Sequence, residues 1–362
     1  FVGSTNAEWK QVDQIPTTTA FSATGASVSI CANRLSYALG LEGPSVAMDT
    51  ACSSGLVAVS SAVNSLLLGE CDMAVAAASN LLLHPKAYIA CCAPKMLSID
   101  GRCKTFDADA NGYVRAEGVG AVVMRVLTDD EIDKLEHGNQ VDGAPCLAVI
   151  RAVAVNQDGR SANLTAPNGK SQESLLRTAL AKANLDPADI NMIETHGTGT
   201  ALGDPIEVGA LQAVYGGSKR PSALGLGAVK SRVGHLEVAA GMVGLIKTVL
   251  ALQHRHLPPN MHMHTINPKL PVDDFDVVFP GADGYDLVSH KDTGALFAGV
   301  SSFGFGGTNA HVILQSTPFA ECIFGEAAPF KRERFSWSPV ESIHNVLTGS
   351  VMNSNLGEAE WL

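Results

Sequence analysis

One cysteine stands where the sequence predicts a turn between a strand and a helix. Cys52 lies in the run DTACSSG (49–55), after a short apolar segment and before an almost wholly apolar one. Such a turn presents a nucleophile, and a helix N-terminus favours a thiolate and offers N–H groups to an oxyanion. A cysteine before a buried helix is more often a packing residue. Because its neighbours are small and leave space for a substrate, we interpret Cys52 as a nucleophile.

Two histidines stand at further predicted strand ends. His196 lies in the run ETHGTGT (194–200), where the glycines let the backbone approach a ligand and Thr198 and Thr200 can hydrogen-bond it. His235 precedes a long apolar segment, so we expect a neutral imidazole at a helix N-terminus that can donate a hydrogen bond. Lys230, five residues earlier, could tune this site, although a lysine at a strand end is usually solvated.

A glycine-rich run, SFGFGGTNAH (302–311), surrounds Phe305 and predicts a mobile loop with one bulky apolar group, as a gate would have. Its spacing is not that of a dinucleotide fingerprint.

One cysteine and two histidines at strand ends form a coherent site for acyl transfer through a thioester, with two imidazoles to stabilise an enolate. A hydrolase would need only the thiolate and one histidine. The second histidine and Lys230 therefore favour condensation.

Composition excludes several other classes. The 362 residues are 46% hydrophobic and 17% charged, with a net charge of −11 and no clustering of basic residues, which argues against nucleic-acid binding. No apolar stretch is long enough to be a transmembrane segment. Four histidines fall in a proline-interrupted segment without acidic or cysteine partners, which favours a surface loop over a metal site; they are His254, His256, His262 and His264.

The eight cysteines include no Cys-x-x-Cys pair. They predict neither a zinc ribbon nor a disulfide framework, but reduced and mostly buried thiols. This pattern suggests a cytoplasmic or plastid-type soluble compartment, with no targeting region visible. Because the chain opens on a strand-like FVGS without an initiator Met, we expect a fragment or an excised domain.

Short apolar segments alternate with helical ones, which predicts an α/β protein with its sheet covered on both faces. The predicted strands are 45–48, 73–78, 119–126, 146–155, 190–194, 224–229, 298–302 and 310–315. The predicted helices are 56–68, 171–183 (capped by Ser171) and 238–253, and an exposed charged segment is expected at 128–139. Similar strand–loop–helix series surround Cys52 and His235, which suggests two related halves.

These motifs, in this order, resemble the β-ketoacyl synthase family, and specifically the ketosynthase domains of type I (modular) polyketide synthases. The matching blocks are GPSVAMDTACSS (43–54), RCKTFDAD (102–109), GYVRAEG (112–118), NQDG (156–159) and TAPNG (165–169). The resemblance covers about residues 1–315 and implies a thiolase-like fold, two similar halves in five α-β-α-β-α layers. It implies an N-terminal half at 1–150 that is truncated at its start, a C-terminal half at 151–315, and a linker or tail packed on the domain at 316–362.

The resemblance also implies a reaction, the decarboxylative Claisen condensation of an acyl chain with a malonyl-type extender in polyketide biosynthesis. The residues that match catalytic positions are Cys52, His196, His235 and Lys230. Those that match positions near the phosphopantetheine arm are Thr198, Thr200, Phe305, Gly306 and Asn309. The arm arrives on an acyl carrier protein, so neither a bound cofactor nor a metal is expected. The family also implies a homodimer.

Three alternatives stay open at this point. A fatty-acid-type ketosynthase shares the same chemistry, and a hydrolase could use Cys52 with one histidine. A truncated copy could instead serve as a dimerisation or docking module. Gly55 departs from the family pattern, in which a third serine is common at this position, but its presence removes no catalytic group.

Overall fold

The computed structural model describes residues 1–5, 8, 20–141, 145–289, 291 and 293–318. Its strands are β1 (Val2–Ser4), β2 (Ala47–Met48), β3 (Met73–Asn80), β4 (Gly118–Arg125), β5 (Ala148–Gln157), β6 (Ile190–Glu194), β7 (Leu224–Gly227), β8 (His256–Leu257), β9 (Val277–Val278), β10 (Tyr285–Asp286), β11 (Phe297–Phe303) and β12 (Thr308–Ser316). Its α-helices are α1 (Ser22–Ala26), α2 (Ser29–Leu39), α3 (Ser54–Leu67), α4 (Pro85–Cys92), α5 (Asp129–Glu136), α6 (Gly169–Ala183), α7 (Gly203–Tyr215), α8 (Lys230–Val233) and α9 (Ala240–His254).

The two main sheets share one strand order. In the first, β2-β1-β3-β4, strand β1 is parallel to β2 and β3, and β4 is antiparallel to β3. In the second, β5-β12-β11-β6-β7-β9, strand β6 is parallel to β7 and β11, and β12 is antiparallel to β11. The order β2-β1-β3-β4 thus recurs as β7-β6-β11-β12. The prediction of two similar halves is confirmed.

Two apolar helices lie between the sheets. α3 packs on β3 and α9 packs on β11, and the two helices contact each other. They approach closely because Gly55 of α3 has no side chain: a Cβ there would lie 2.9 Å from the backbone nitrogen of Met242. In this structure a serine side chain at this position would therefore clash with α9.

Further helices cover the outer faces of the sheets. α2 contacts β1 and β2, whereas α6 packs on β5 and β12 and α7 packs on α6. The resulting order is helix, sheet, helix, sheet, helix, so the predicted five-layer thiolase-like arrangement is confirmed. β5 spans the predicted boundary between residues 150 and 151. The division at 150 and 315 stays a prediction, and nearly all of the predicted tail at 316–362 lies outside the described residues.

Several local predictions need correction. The helix predicted at 171–183 begins at Gly169, and its cap is Asn168, whose side-chain oxygen accepts from the backbone N–H groups of Lys170 and Ser171. Ser171 lies within the first turn of the helix, three residues after Asn168, so it is not the N-cap. The charged segment at 128–139 holds a helix, α5, which begins in a capping box formed by Thr128 and Glu131.

The sequence predicts that the cysteines are reduced and mostly buried, and the structure confirms only the first of these two expectations. All seven cysteines in the described part of the chain are free thiols, as expected. Only Cys103 among them is buried, and Cys31 and Cys92 are exposed, so the expectation of mostly buried thiols is wrong. Cys322 lies outside the described residues. No helix in the described ranges is long and apolar enough to cross a membrane.

Candidate active site

Cys52 lies on a strained turn between β2 and α3. The residue before it, Ala51, is left-handed (φ 57°), which is rare for a residue with a side chain and typical of turns that present a functional group. The Ser54 hydroxyl holds this turn: it accepts from the backbone N–H of Thr50 (2.9 Å) and donates to the carbonyl of Ala51 (2.6 Å). The predicted strand-to-helix turn at Cys52 is therefore present.

His235 is the partner of the thiol. Its Nε2 lies 3.2 Å from Cys52 Sγ, and its Nδ1 accepts the backbone N–H of Glu237 at 3.1 Å. Because Nδ1 is an acceptor, the hydrogen of a neutral ring is on Nε2. Burial lowers the pKa of His235 well below its usual value, and the positive charges of Lys230 and Arg115 lower it further. The ring is thus a neutral donor directed at the sulfur.

His196, two residues after β6, has the same tautomer. Its Nδ1 accepts the backbone N–H of Phe303 at 3.3 Å, which leaves the hydrogen on Nε2. Burial lowers its pKa well below the usual value, and Lys230 and His235 add to this effect. The two imidazole rings are 5.6 Å apart and nearly perpendicular (87°). The site therefore brings together Cys52 and two neutral imidazoles that carry their hydrogens on Nε2.

The same three residues could be mistaken for a metal site, since one ligand atom from each lies within 4.8 Å of the others. Coordination through Nε2 needs a free lone pair there, and hence a hydrogen on Nδ1. In both histidines Nδ1 instead faces a backbone N–H donor. The surroundings of Cys52, His196 and His235 thus favour two hydrogen-bond donors over two metal ligands.

Burial determines the protonation state of the Cys52 thiol. It raises the pKa of Cys52 to about 11, against the opposing effects of the Lys230 charge and the backbone N–H groups of Phe305 and Cys52 itself. The N–H at the helix N-terminus acts in the expected direction and lowers the pKa, but desolvation outweighs it, so the thiol is the favoured state. The N–H groups of Phe305 and Cys52 interact with the sulfur, and the same donors are suited to bind an oxyanion.

A buried set of charges lies behind His196. Lys230 is 3% exposed, so it is not the solvated lysine that is usual at a strand end, and burial lowers its pKa. Glu207 accepts the backbone N–H groups of His196 (2.7 Å) and Gly197 (2.8 Å). Burial raises the pKa of Glu207 to about 7, even though both hydrogen bonds act to lower it. Glu207 therefore holds the turn on which His196 lies.

Asp204 has a similar role and precedes Glu207 by almost a full turn of α7. Its carboxylate accepts the backbone N–H groups of Phe106 (2.9 Å) and Gly199 (3.0 Å), and burial raises its pKa to about 6. The sequence interpretation missed both Asp204 and Glu207. The signal was present: they are the only acidic residues in the largely apolar segment GDPIEVGALQAVY (203–215).

The residues predicted to contact the phosphopantetheine arm lie in two segments, the turn after β6 and the glycine-rich run 302–311. Thr198 and Thr200 place their hydroxyl oxygens 3.2 Å apart beyond His196. Phe305 and Gly306 are exposed on the glycine-rich loop. Asn309 is fully buried and donates to the side chains of Asp158 (2.7 Å) and Asn156 (3.2 Å). Its predicted contact with the arm does not fit this position, because it lies behind the loop and anchors it.

Two family profiles match most of this chain. Residues 1–130 match the family profile described as the β-ketoacyl synthase N-terminal domain, and residues 147–264 match that of the C-terminal domain. The chain is 48% identical over 312 residues to one of the phenolphthiocerol/phthiocerol polyketide synthase subunits of Mycobacterium tuberculosis. It is 47% identical over 300 residues to another of these subunits from the same organism. These alignments cover 86% and 83% of the chain but 16% and 13% of the two relatives.

Solved ketosynthase structures are also similar. The oxazolomycin ketosynthase domain of Streptomyces albus matches with a TM-score of 0.78 and 36% identity, over 88% of this chain and 55% of that one. The ketosynthase from module 6 of the bacillaene synthase of Bacillus subtilis matches with a TM-score of 0.76 and 35% identity, over 87% of this chain and 53% of that one. The chain thus spans about half of these structures, and it belongs to the β-ketoacyl synthase family.

Proposed function

We propose that this chain catalyses decarboxylative Claisen condensation, as a 3-oxoacyl-[acyl-carrier-protein] synthase type of acyltransferase in polyketide biosynthesis. The observation that carries the proposal is the pairing of one thiol with two histidines of the same tautomer. Cys52 Sγ lies 3.2 Å from His235 Nε2, and the Nδ1 atoms of both His196 and His235 accept backbone N–H groups. One nucleophile and two oxyanion donors are what condensation needs.

In the first half of the reaction, the Cys52 sulfur attacks the thioester carbonyl of an acyl chain on an acyl carrier protein. The new S–C bond forms, the pantetheine sulfur leaves, and the Cys52 proton moves to the leaving thiol. The backbone N–H groups of Phe305 and Cys52, which lie near the sulfur, would bind the oxyanion of the tetrahedral intermediate.

In the second half, a malonyl-type thioester loses CO₂ and its electron pair becomes an enolate. The Nε2 hydrogens of His196 and His235 would stabilise the enolate oxygen. The enolate carbon then attacks the Cys52-bound carbonyl, the C–C bond forms and the S–C bond breaks. The thiol is restored by a proton from solvent, so that one proton is consumed and one CO₂ is released.

The remaining site residues have supporting roles in this proposal. Thr198 and Thr200 would hydrogen-bond the phosphopantetheine arm, which belongs to the carrier protein, and Phe305 with Gly306 would gate its entry. Lys230 would act as a buried positive charge that favours the thiolate of Cys52. The assembly as a homodimer, the lack of a bound cofactor and the cytoplasmic or plastid-type compartment stay predictions.

The similarity to polyketide synthase subunits supports a polyketide over a fatty-acid role. A Cys52 hydrolase would have no use for the second donor, His196. The two reactions differ in what they consume, which makes the test simple: incubate the chain with acyl and malonyl carrier proteins and quantify CO₂, free acid and β-ketoacyl product. We expect CO₂ and β-ketoacyl thioester in equal amounts. Free acid without CO₂ would assign the site to hydrolysis instead.

A further inference from the structure

The loop that carries His235 contains a second unusual backbone conformation. Glu237, two residues after His235, is left-handed (φ 48°) although it has a side chain. In this conformation its N–H donates to His235 Nδ1 at 3.1 Å. This single hydrogen bond sets the tautomer of the ring that faces Cys52, so whatever holds Glu237 in place also determines where the Nε2 hydrogen points.

Arg115 holds the side chain of Glu237. Its Nε donates to Oε1 of Glu237 at 2.5 Å and its Nη2 to Oε2 at 2.9 Å, a two-point contact. The backbone around Arg115 also pairs with His235: the His235 N–H donates to the carbonyl of Val114 (2.7 Å), and the His235 carbonyl accepts from Ala116 (2.9 Å). One short segment thus contacts His235 through its main chain and Glu237 through its side chain.

The guanidinium itself is held from two further directions. Nη2 of Arg115 donates to Glu8 Oε1 at 2.6 Å, and the ring of Tyr88 lies 4.8 Å from its central carbon. The Arg115 side chain is only 4% exposed, and Glu8 in turn accepts the backbone N–H groups of Leu83 and His84. A charged group this deeply buried, and held through both Nε and Nη2, has little freedom to move.

We propose that Arg115 and Glu237 are positioning residues, a buried ion pair that keeps His235 in the Nε2–H tautomer and directed at Cys52. The role of His235 as an oxyanion donor rests on the proposed function; the effect on its tautomer does not. Without the Arg115 contact, Glu237 is free to leave its left-handed conformation. Its N–H then moves away from Nδ1, and the imidazole can place its hydrogen on either nitrogen.

The first readout is the tautomer itself, measured by ¹⁵N NMR on histidine-labelled protein, with His235 assigned by its loss in His235→Gln. The first variant is Arg115→Lys, which keeps the positive charge but loses the planar guanidinium that contacts both oxygens of Glu237. The second variant is Glu237→Gln, which keeps the size and shape of the side chain but removes its charge. The matched control is Arg125→Gln, because Arg125 makes a similar two-point pair with Glu131 away from the site. We expect Nε2–H alone in wild type and control, and a mixture in the two variants.

The second readout separates kcat from KM for the malonyl thioester. We expect Arg115→Lys and Glu237→Gln to lower kcat about tenfold or more, since a misdirected oxyanion donor loses much of its effect, with KM little changed. The double variant should be little worse than either single one, because both disrupt the same pair. Unchanged His235 tautomers in folded variants would overturn the proposal. If wild type itself fails to condense, the proposed function fails, while the tautomers still decide the positioning role.

Discussion

The Sγ atom of Cys52 and the Nε2 atom of His235 lie 3.2 Å apart, although the two residues are 183 positions apart in the sequence. The contact joins the two halves of the fold, since Cys52 precedes α3 of the first half and His235 precedes α9 of the second. These are also the two helices that pack between the sheets. The duplicated topology therefore places a nucleophile and a hydrogen-bond donor opposite each other.

The first prediction concerns the donor role of His235. In His235→Gln the amide nitrogen can reach the place of Nε2, whereas in His235→Leu no donor remains. We expect His235→Leu to lower the rate of malonyl decarboxylation by about 10²–10³-fold and His235→Gln to retain part of it. The measurement is CO₂ release from a malonyl carrier protein. Equal losses in both variants would show that hydrogen-bond donation is not what His235 supplies.

The second prediction follows from the raised pKa of the half-buried Cys52 thiol. Because the pKa of Cys52 is raised to about 11 by burial, its thiolate fraction rises about tenfold per pH unit from pH 7 to pH 10. Iodoacetamide alkylation of Cys52, followed by mass spectrometry, should show this slope. Lys230→Met removes a charge that lowers this pKa, so the alkylation rate of this variant should be lower wherever Lys230 is charged in wild type. A rate that levels off near pH 7 would contradict the raised pKa.

The third prediction tests the crossing of α3 and α9. Gly55→Ser places a Cβ 2.9 Å from the backbone nitrogen of Met242, and neither helix backbone can move cheaply. Overpacking of this kind costs about 1–3 kcal/mol, so the free energy of unfolding should fall by that amount in urea denaturation. Gly25→Ser is the matched control, since nothing lies within 4 Å of a Cβ there. Equal stability of the two variants would argue against close packing at Gly55.

The fourth prediction concerns a histidine outside the site. His311 is fully buried in β12, its Nδ1 lies 2.9 Å from the Ser301 hydroxyl, and burial lowers its pKa to about 3. The unfolded chain therefore binds a proton below about pH 6.5 that the folded chain does not. This contribution to stability is complete above pH 6.5 and falls by about 1.4 kcal/mol per unit as the pH decreases toward 3.

The measurement is the difference in unfolding free energy between wild type and His311→Asn, from urea denaturation at pH 5.0 and pH 6.5. The difference isolates His311 from other buried groups, such as Glu207, whose raised pKa acts in the opposite direction. We expect wild type to lose about 2 kcal/mol more than the variant over this interval. The same loss in both proteins would show that His311 titrates normally in the fold.

The sequence predicts those features of the fold and the site that depend on neighbouring residues in the chain. The turn at Cys52, the strand end before His196 and the alternation of strands and helices all follow from neighbouring residues. The cap at Asn168 was missed because two candidate residues, Asn168 and Ser171, lie within one turn of each other. Both residue types are favoured at the N-cap of a helix, so their propensities do not show which of the two caps it.

What the sequence could not show depends on tertiary contacts. The pKa of Cys52 is set by burial among residues distant in sequence, which outweighs the helix end beside it. Arg115 and Glu237 are 122 positions apart, and nothing in their separate segments indicates that they pair. Asn309 belongs to a motif that matches the family, but only its burial shows that it anchors the loop.

The central claim is that Cys52 carries the acyl chain and passes it to a decarboxylated extender. The direct measurement is the intact mass of the chain after incubation with an acyl carrier protein thioester, and again after a malonyl carrier protein is added. We predict one acyl adduct in wild type and none in Cys52→Ala, and the loss of that adduct as β-ketoacyl thioester and CO₂ appear. A folded chain that forms no adduct, or whose adduct yields only free acid, would contradict the account.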